Sequence, residues 1–134
     1  MPTTAFSLDS SAAPKTIRCK RAYDSPAADD GYRVLVDGMW PRGVSKQALK
    51  LDDWQKALAP SKKLRQWFGH DPSLWAGFYQ KFFHELEHSD EAREALSALL
   101  DACHGKTLTL VYAAKDESHN NAVALKQFIE HHTA

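Results

Sequence analysis

The chain has 134 residues, 43% of them apolar and 25% charged, and its 17 basic and 17 acidic side chains cancel. This length points to one domain large enough for a core, and the balance removes the global basic field that gathers nucleic acid or anionic membrane. No apolar run nears the roughly 18 residues that span a bilayer, and the amino terminus lacks the basic-then-apolar order of a signal peptide. A cytoplasmic protein without a membrane partner is expected.

Residues 1–14, rich in Ser, Thr, Ala and Pro, read as a flexible arm, and residues 15–134 as one domain. A first strand is expected over Lys15 to Tyr23, with Ile17, Cys19 and Arg21 on one face. Ser25 to Gly31 carries the Pro and Gly of a turn-forming link. The second strand, Tyr32 to Asp37, holds the unbroken Val34-Leu35-Val36 run of a strand covered on both faces.

From Ser45 to Pro60 the pattern fits either a helix through Leu51, Trp54 and Leu58 or a short strand from Trp54 to Leu58. A short helix from Ser61 is expected to bury Leu64, Trp67 and Phe68. Asp71-Pro72 starts another, with a capping carboxylate and a first-turn proline; Leu74, Phe78, Phe82 and Leu86 form its apolar stripe. Ser89 or Asp90 caps a helix buried through Ala92, Ala95, Leu96, Leu99, Leu100 and Cys103, ended by Gly105. Thr107 to Tyr112 is the last strand. Ser118 is expected to cap a final helix using Ala122, Leu125, Phe128 and Ile129. The order predicts a single three-layer α/β domain with a small, mostly parallel sheet flanked by helices.

In such sheets ligands bind beyond the carboxyl ends of the strands. Two strands here run into reactive clusters: Asp37-Gly38-Met39-Trp40-Pro41-Arg42-Gly43, and Lys115-Asp116-Glu117-Ser118-His119-Asn120-Asn121. Asp37, His70 and His119 are candidates for proton transfer, because a desolvated carboxyl and imidazoles titrate within reach of neutral pH. Trp40, Arg42, Arg65, Trp67, Tyr112, Lys115 and Asn120 are candidate ligand contacts. Arg42 stands out, since Pro41 and Gly43 stiffen its turn and a guanidinium fork suits phosphate or carboxylate. Its competing role is an ion pair to Asp37 or Asp71.

His84-Glu85-Leu86-Glu87-His88 matches the His-Glu-x-x-His zinc pattern. At about 100° per residue both histidines lie roughly 160° from Leu86, on the solvent side of the stripe, so no metal site is expected. Cys19 and Cys103 lack metal spacing and read as buried, inert thiols. No cofactor is expected.

Several blocks together are similar to one family. Asp29 to Asp37 followed by Trp40-Pro41-Arg42-Gly43, Leu58 to Ser61, Leu64 to Asp71, and Leu110 to Asp116 with His119-Asn120 resemble the YeaO-like proteins, a branch of domain-of-unknown-function family 488. The resemblance spans about Ile17 to Ile129. It implies a small bacterial cytoplasmic α/β protein and carries over no reaction. It also implies Arg at the position of Gly38; if that guanidinium belongs to the site, this chain has a weakened version. The Cys-His signature of other branches is missing, which argues against thiol catalysis.

Three functions follow from these residues: a metal-independent hydrolase or group transferase acting on a small anionic or nucleotide-like ligand; a non-catalytic ligand-binding or protein-interaction module; and a nucleic-acid processing factor, which the neutral charge disfavours. All three rest on the loops after residues 37 and 113 opening onto a shared hollow.

Overall fold

The structure, a computed structural model, describes residues 13–133; most of the expected arm, residues 1–12, lies outside them. Four parallel strands, β1 (Thr16–Arg21), β2 (Tyr32–Leu35), β3 (Asp53–Trp54) and β4 (Thr107–Tyr112), form one sheet in the order β1-β4-β2-β3. The helices are α1 (Lys46–Leu49), α2 (Lys62–Phe68), α3 (Trp75–Glu87), α4 (Asp90–Cys103) and α5 (Asn121–Thr133). Among the described residues none is long and apolar enough to cross a membrane.

Strand alternation divides the core in two. Val34, Val36, Leu108, Leu110 and Tyr112 join Phe68, Phe78, Phe82, Leu96, Leu99 and Phe128 in the main cluster, which covers one face with α2 to α5. Leu35 and Val111 point the other way, to Ala22 and Leu49, with Trp40, Val44 and Trp54 packed around them. Phe82, Phe128, Leu96 and Leu110 are wholly buried, each contributing about 1.5–3 kcal/mol by leaving water.

The helices expected to flank the sheet do so unequally, with α2 to α5 on one face. The other is covered by the four-residue α1, its adjoining loops and the link between β1 and β2, which runs back over the sheet without a long helix. Charge pins that link. Asp30 is buried; its Oδ2 lies 2.6 Å from an Arg33 guanidinium nitrogen and accepts from the Ala27 amide at 2.9 Å. Lys20 Nζ lies 3.1 Å from the same carboxylate, and the Thr109 hydroxyl donates to the Asp30 carbonyl at 2.6 Å. Three neighbouring strands thus each send a polar side chain to one residue of the link. Gly31 follows with φ +66°, where an added Cβ would collide with the Thr107 carbonyl oxygen.

Local differences from expectation have local causes. The ambiguous stretch divides into α1, β3 and a 3-10 turn at Lys56–Leu58, each too short to set a period. Asp71 and Ser89 cap as anticipated, accepting from the amides of Ser73 and Ala92, and Ser61 likewise caps α2 by accepting from Leu64. Ser118 does not cap α5. Asn120 does, its Oδ1 accepting from Val123 at 2.9 Å, because the helix begins at Asn121 and residue 120, not 118, precedes its first turn. Trp67 is 43% exposed; it lies over Gly77 on α3, where the missing side chain leaves room for the indole. His84 and His88 are exposed, as their angle from Leu86 required.

Candidate functional site

β2 and β4 are neighbours, so the loops that follow them emerge side by side. Asp37 joins the two. Its Oδ2 accepts from the Ala113 amide at 2.9 Å and its Oδ1 from Asn121 Nδ2 at 3.0 Å, while Asn121 also donates to the Val36 carbonyl. Burial pushes the Asp37 carboxyl above the ordinary range, against the lowering effect of those hydrogen bonds and of the nearby Arg65 and His70.

The loop from Gly38 to Val44 is held at several points. Trp40 Nε1 donates to the Val44 carbonyl at 2.7 Å and Trp54 Nε1 to the Asp37 carbonyl at 2.8 Å; the two indoles meet edge to face at 5.5 Å. The Tyr23 hydroxyl donates to the Arg42 carbonyl at 3.0 Å. The backbone of Arg42 is therefore fixed while its side chain stays exposed. Neither ion pair considered for it, to Asp37 or to Asp71, forms among the described residues.

Across from it, Arg21 donates from Nε to the Ala114 carbonyl at 2.9 Å and from a terminal nitrogen to Ala113 at 3.3 Å, and lies over the Tyr23 ring at 5.0 Å. Lys115 then projects outward. Asp116 accepts from the Ser118 and His119 amides at 2.9 Å each, and these bonds hold its carboxyl below the usual range. His119 Nδ1 lies 3.0 Å from the Asp116 carboxylate. Asn120 completes the turn, donating to the Asp116 carbonyl at 2.9 Å.

α2 supplies the remaining wall. It ends at Gly69 (φ +55°), and His70 continues in the same left-handed region at φ +57°, a conformation that costs a side chain with a Cβ of order 1 kcal/mol or more. That backbone turns the imidazole back beside Phe68, with ring centroids 6.5 Å apart.

The loops after β2 and β4 and the end of α2 enclose one cavity of about 900 Å³, within the size range of small-molecule sites. Of the ten residues singled out in the sequence, Asp37, Trp40, Arg42, Arg65, His70, Lys115 and Asn120 line it. Three do not. Tyr112 is buried in the main core, and burial pushes its phenol up to about 12. The His119 ring is drawn to Asp116 and lies edge-on to Trp75 at 5.4 Å. Trp67 lines a separate groove with Lys81 and His84. Arg42, Arg65 and Lys115 are exposed cations with no hydrogen bond or ion pair from their side chains among the described residues.

Sequence reasoning missed Tyr23, Asn121, Phe68 and Phe78 in the lining, and Arg21 behind it. The signal for the first was available: β1 is also parallel, so its carboxyl end, Arg21 to Tyr23, falls at the same edge. Neither cysteine offers a nucleophile there, since burial pushes Cys19 up to about 11 and raises Cys103 as well. Among the described residues no three His, Cys, Asp or Glu side chains gather as a metal site would require.

Comparison with known proteins places this architecture. The family described as "Inactive DUF488-N3 subclade" matches residues 16–134. The Escherichia coli K12 protein named "Uncharacterized protein YeaO" is 40% identical over 114 residues, covering 84% of this chain and 96% of its own. "Uncharacterized protein Rv3073c" of Mycobacterium tuberculosis H37Rv is 34% identical over 113 residues, covering 84% and 92%. No solved structure matches significantly. With agreement along nearly the whole described chain, the protein belongs to the YeaO-like branch of the DUF488 family, in its DUF488-N3i subclade.

Proposed function

We propose that the protein is a non-catalytic binding module for a small anionic ligand, which it holds in the cavity at the carboxyl edge of the sheet. One observation carries this reading: Arg42, Arg65 and Lys115 line a single cavity and, among the described residues, spend no side-chain hydrogen bond or ion pair on one another or on the fold. Cations that converge on one hollow without partners of their own gain from a matching anion through charge-assisted hydrogen bonds. The rigidity of the Arg42 loop favours binding further, because little order is lost when the ligand arrives. Two of the three groups suited to proton transfer are already employed: Asp37 ties two strand ends and a helix together, and His119 bonds Asp116. The family description, inactive, agrees with this division of labour.

The second reading is a metal-independent hydrolase or group transferase using Asp37 and His70. The raised pKa of a carboxyl that faces the cavity favours it. The two readings differ in what an anion does. A thermal-shift screen over organic acids, sugar phosphates and nucleotides should find a class that raises the melting temperature and emerges chemically unchanged. Arg42→Ala should lower affinity for it roughly tenfold or more while leaving the unliganded melting temperature within a few degrees. Turnover of a bound compound, abolished by Asp37→Asn, would establish the enzyme instead. Absence of any stabilising anion would remove both.

A further inference from the structure

The charges around the cavity are not distributed evenly, and their order specifies more than an anion. Arg42 belongs to a loop whose Trp40 and Val44 pack on the thinly covered face of the sheet, against Leu35 and Val111. Arg65 and His70 belong to α2 and its end, and the neighbouring Phe68 and Phe78 pack in the main cluster on the opposite face. The two arginines therefore reach the cavity from opposite faces of the sheet. Lys115 sides with Arg42, because Arg21 and Tyr23 tie the loop after β4 to the loop after β2. Between the two groups, at the strand ends, sits the carboxyl of Asp37, fixed by Ala113 and Asn121. Phe68 and Phe78, stacked with centroids 4.3 Å apart and largely buried, give the cavity an apolar wall on the α2 side of Asp37.

Electrostatic complementarity requires the ligand to mirror this order. A single compact anion between the cation groups would meet Asp37. From residue 37 outward the lining carries cations on both sides, Arg42 and Lys115 on one and Arg65 on the other; the Asp116 carboxylate beside Lys115 is taken up by the Ser118 and His119 amides, and an apolar surface lies beside the centre. We infer that the cavity takes a two-ended ligand: two acidic groups, carboxylate or phosphate, separated by an uncharged segment that lies along Asp37, Phe68 and Phe78. One acidic group meets Arg42 and Lys115, the other Arg65 and His70. The inference rests on the anion-binding role proposed above and adds to it the number and spacing of the charges.

The test is calorimetric titration of the full chain with straight-chain α,ω-dicarboxylates from malonate to suberate, the corresponding monocarboxylates, α,ω-alkanediol bisphosphates, and orthophosphate. Affinity should pass through a maximum at one chain length, and there exceed the monoacid of that length roughly tenfold or more. A maximum in either two-ended series supports the inference and names the acidic group. Arg42→Ala and Arg65→Ala, both exposed positions, should each bring the best diacid down to about the level of its monoacid. Affinity independent of length, or orthophosphate binding as tightly as the best diacid, would overturn the two-ended ligand while leaving a simple anion site standing. Failure of every probe to bind the folded protein would overturn both.

Discussion

His70 shows how one residue can be placed against its own preference. Its φ of +57° continues the left-handed turn begun at Gly69, and no hydrogen bond of its ring among the described residues repays that conformation. What the strain secures is a position in the cavity. Replacing it with glycine should therefore separate stability from binding. His70→Gly is expected to leave stability unchanged or raise it by up to about 1 kcal/mol, by urea denaturation, while anion affinity falls several-fold. The candidate histidine was legible because it followed an aromatic pair before a helix start. Its backbone was not, since left-handed histidine leaves no mark on periodicity. For His119 the reverse holds: a strand-end position suggested function, but Asp116 three residues earlier captures the ring, a local competition that strand-edge reasoning does not weigh.

The elements around the cavity are short, and their positions come from side-chain bonds more than from helical or strand propensity. The loop after β2 and the loop after β4 are separated by about seventy residues of chain but linked through the end of β1: Arg42 carbonyl to Tyr23 hydroxyl, Tyr23 ring to Arg21, Arg21 to Ala113 and Ala114. Removing the hydroxyl alone breaks this chain of contacts at its first step. Tyr23→Phe should cost only about 0.5–1 kcal/mol of stability, an ordinary partly exposed hydrogen bond, yet weaken the anion by loosening Arg42. In a double-mutant cycle on anion affinity, Tyr23→Phe and Arg21→Met should be non-additive; strictly additive losses would mean that the two loops act separately. β1, β2, β4, α3 and α4 could all be read from apolar spacing, because burial enforces period two or 3.6. α1 and β3 could not: two to four residues span about one period of either pattern, too little for a repeat to show.

At the scale of the molecule, the sequence predicts a parallel sheet and reads it correctly, whereas the unequal covering of its faces depends on a polar cluster that hydrophobic patterning ignores. Asp30 read as a turn residue. In the fold it is the buried anion to which Lys20, Arg33 and the link between β1 and β2 are anchored. Burial alone would push its carboxyl up; the Ala27 amide together with Lys20 and Arg33 outweighs this and holds it below the ordinary value. A carboxyl lowered by folding stabilises the protein above its unfolded pKa, and this contribution is lost as pH falls from about 4 through the lowered value. Asp30→Asn leaves Arg33 buried without a counter-charge and should cost about 3–5 kcal/mol at neutral pH. The difference from the native chain should narrow below about pH 4 in denaturation experiments; a gap that stays constant with pH would show that the ion pair is not what anchors the link.

In the proposed function, the loops after residues 37 and 113 and the end of α2 all contact one anion. Amide chemical-shift mapping during titration with the best-binding diacid measures this directly. The amides of residues 37–43, 65–70 and 113–121 should shift together along a single binding curve, and Arg42→Ala should weaken that curve for all three segments at once. Shifts confined to one of these segments, or centred on the exposed groove of Trp67 and His84, would contradict it.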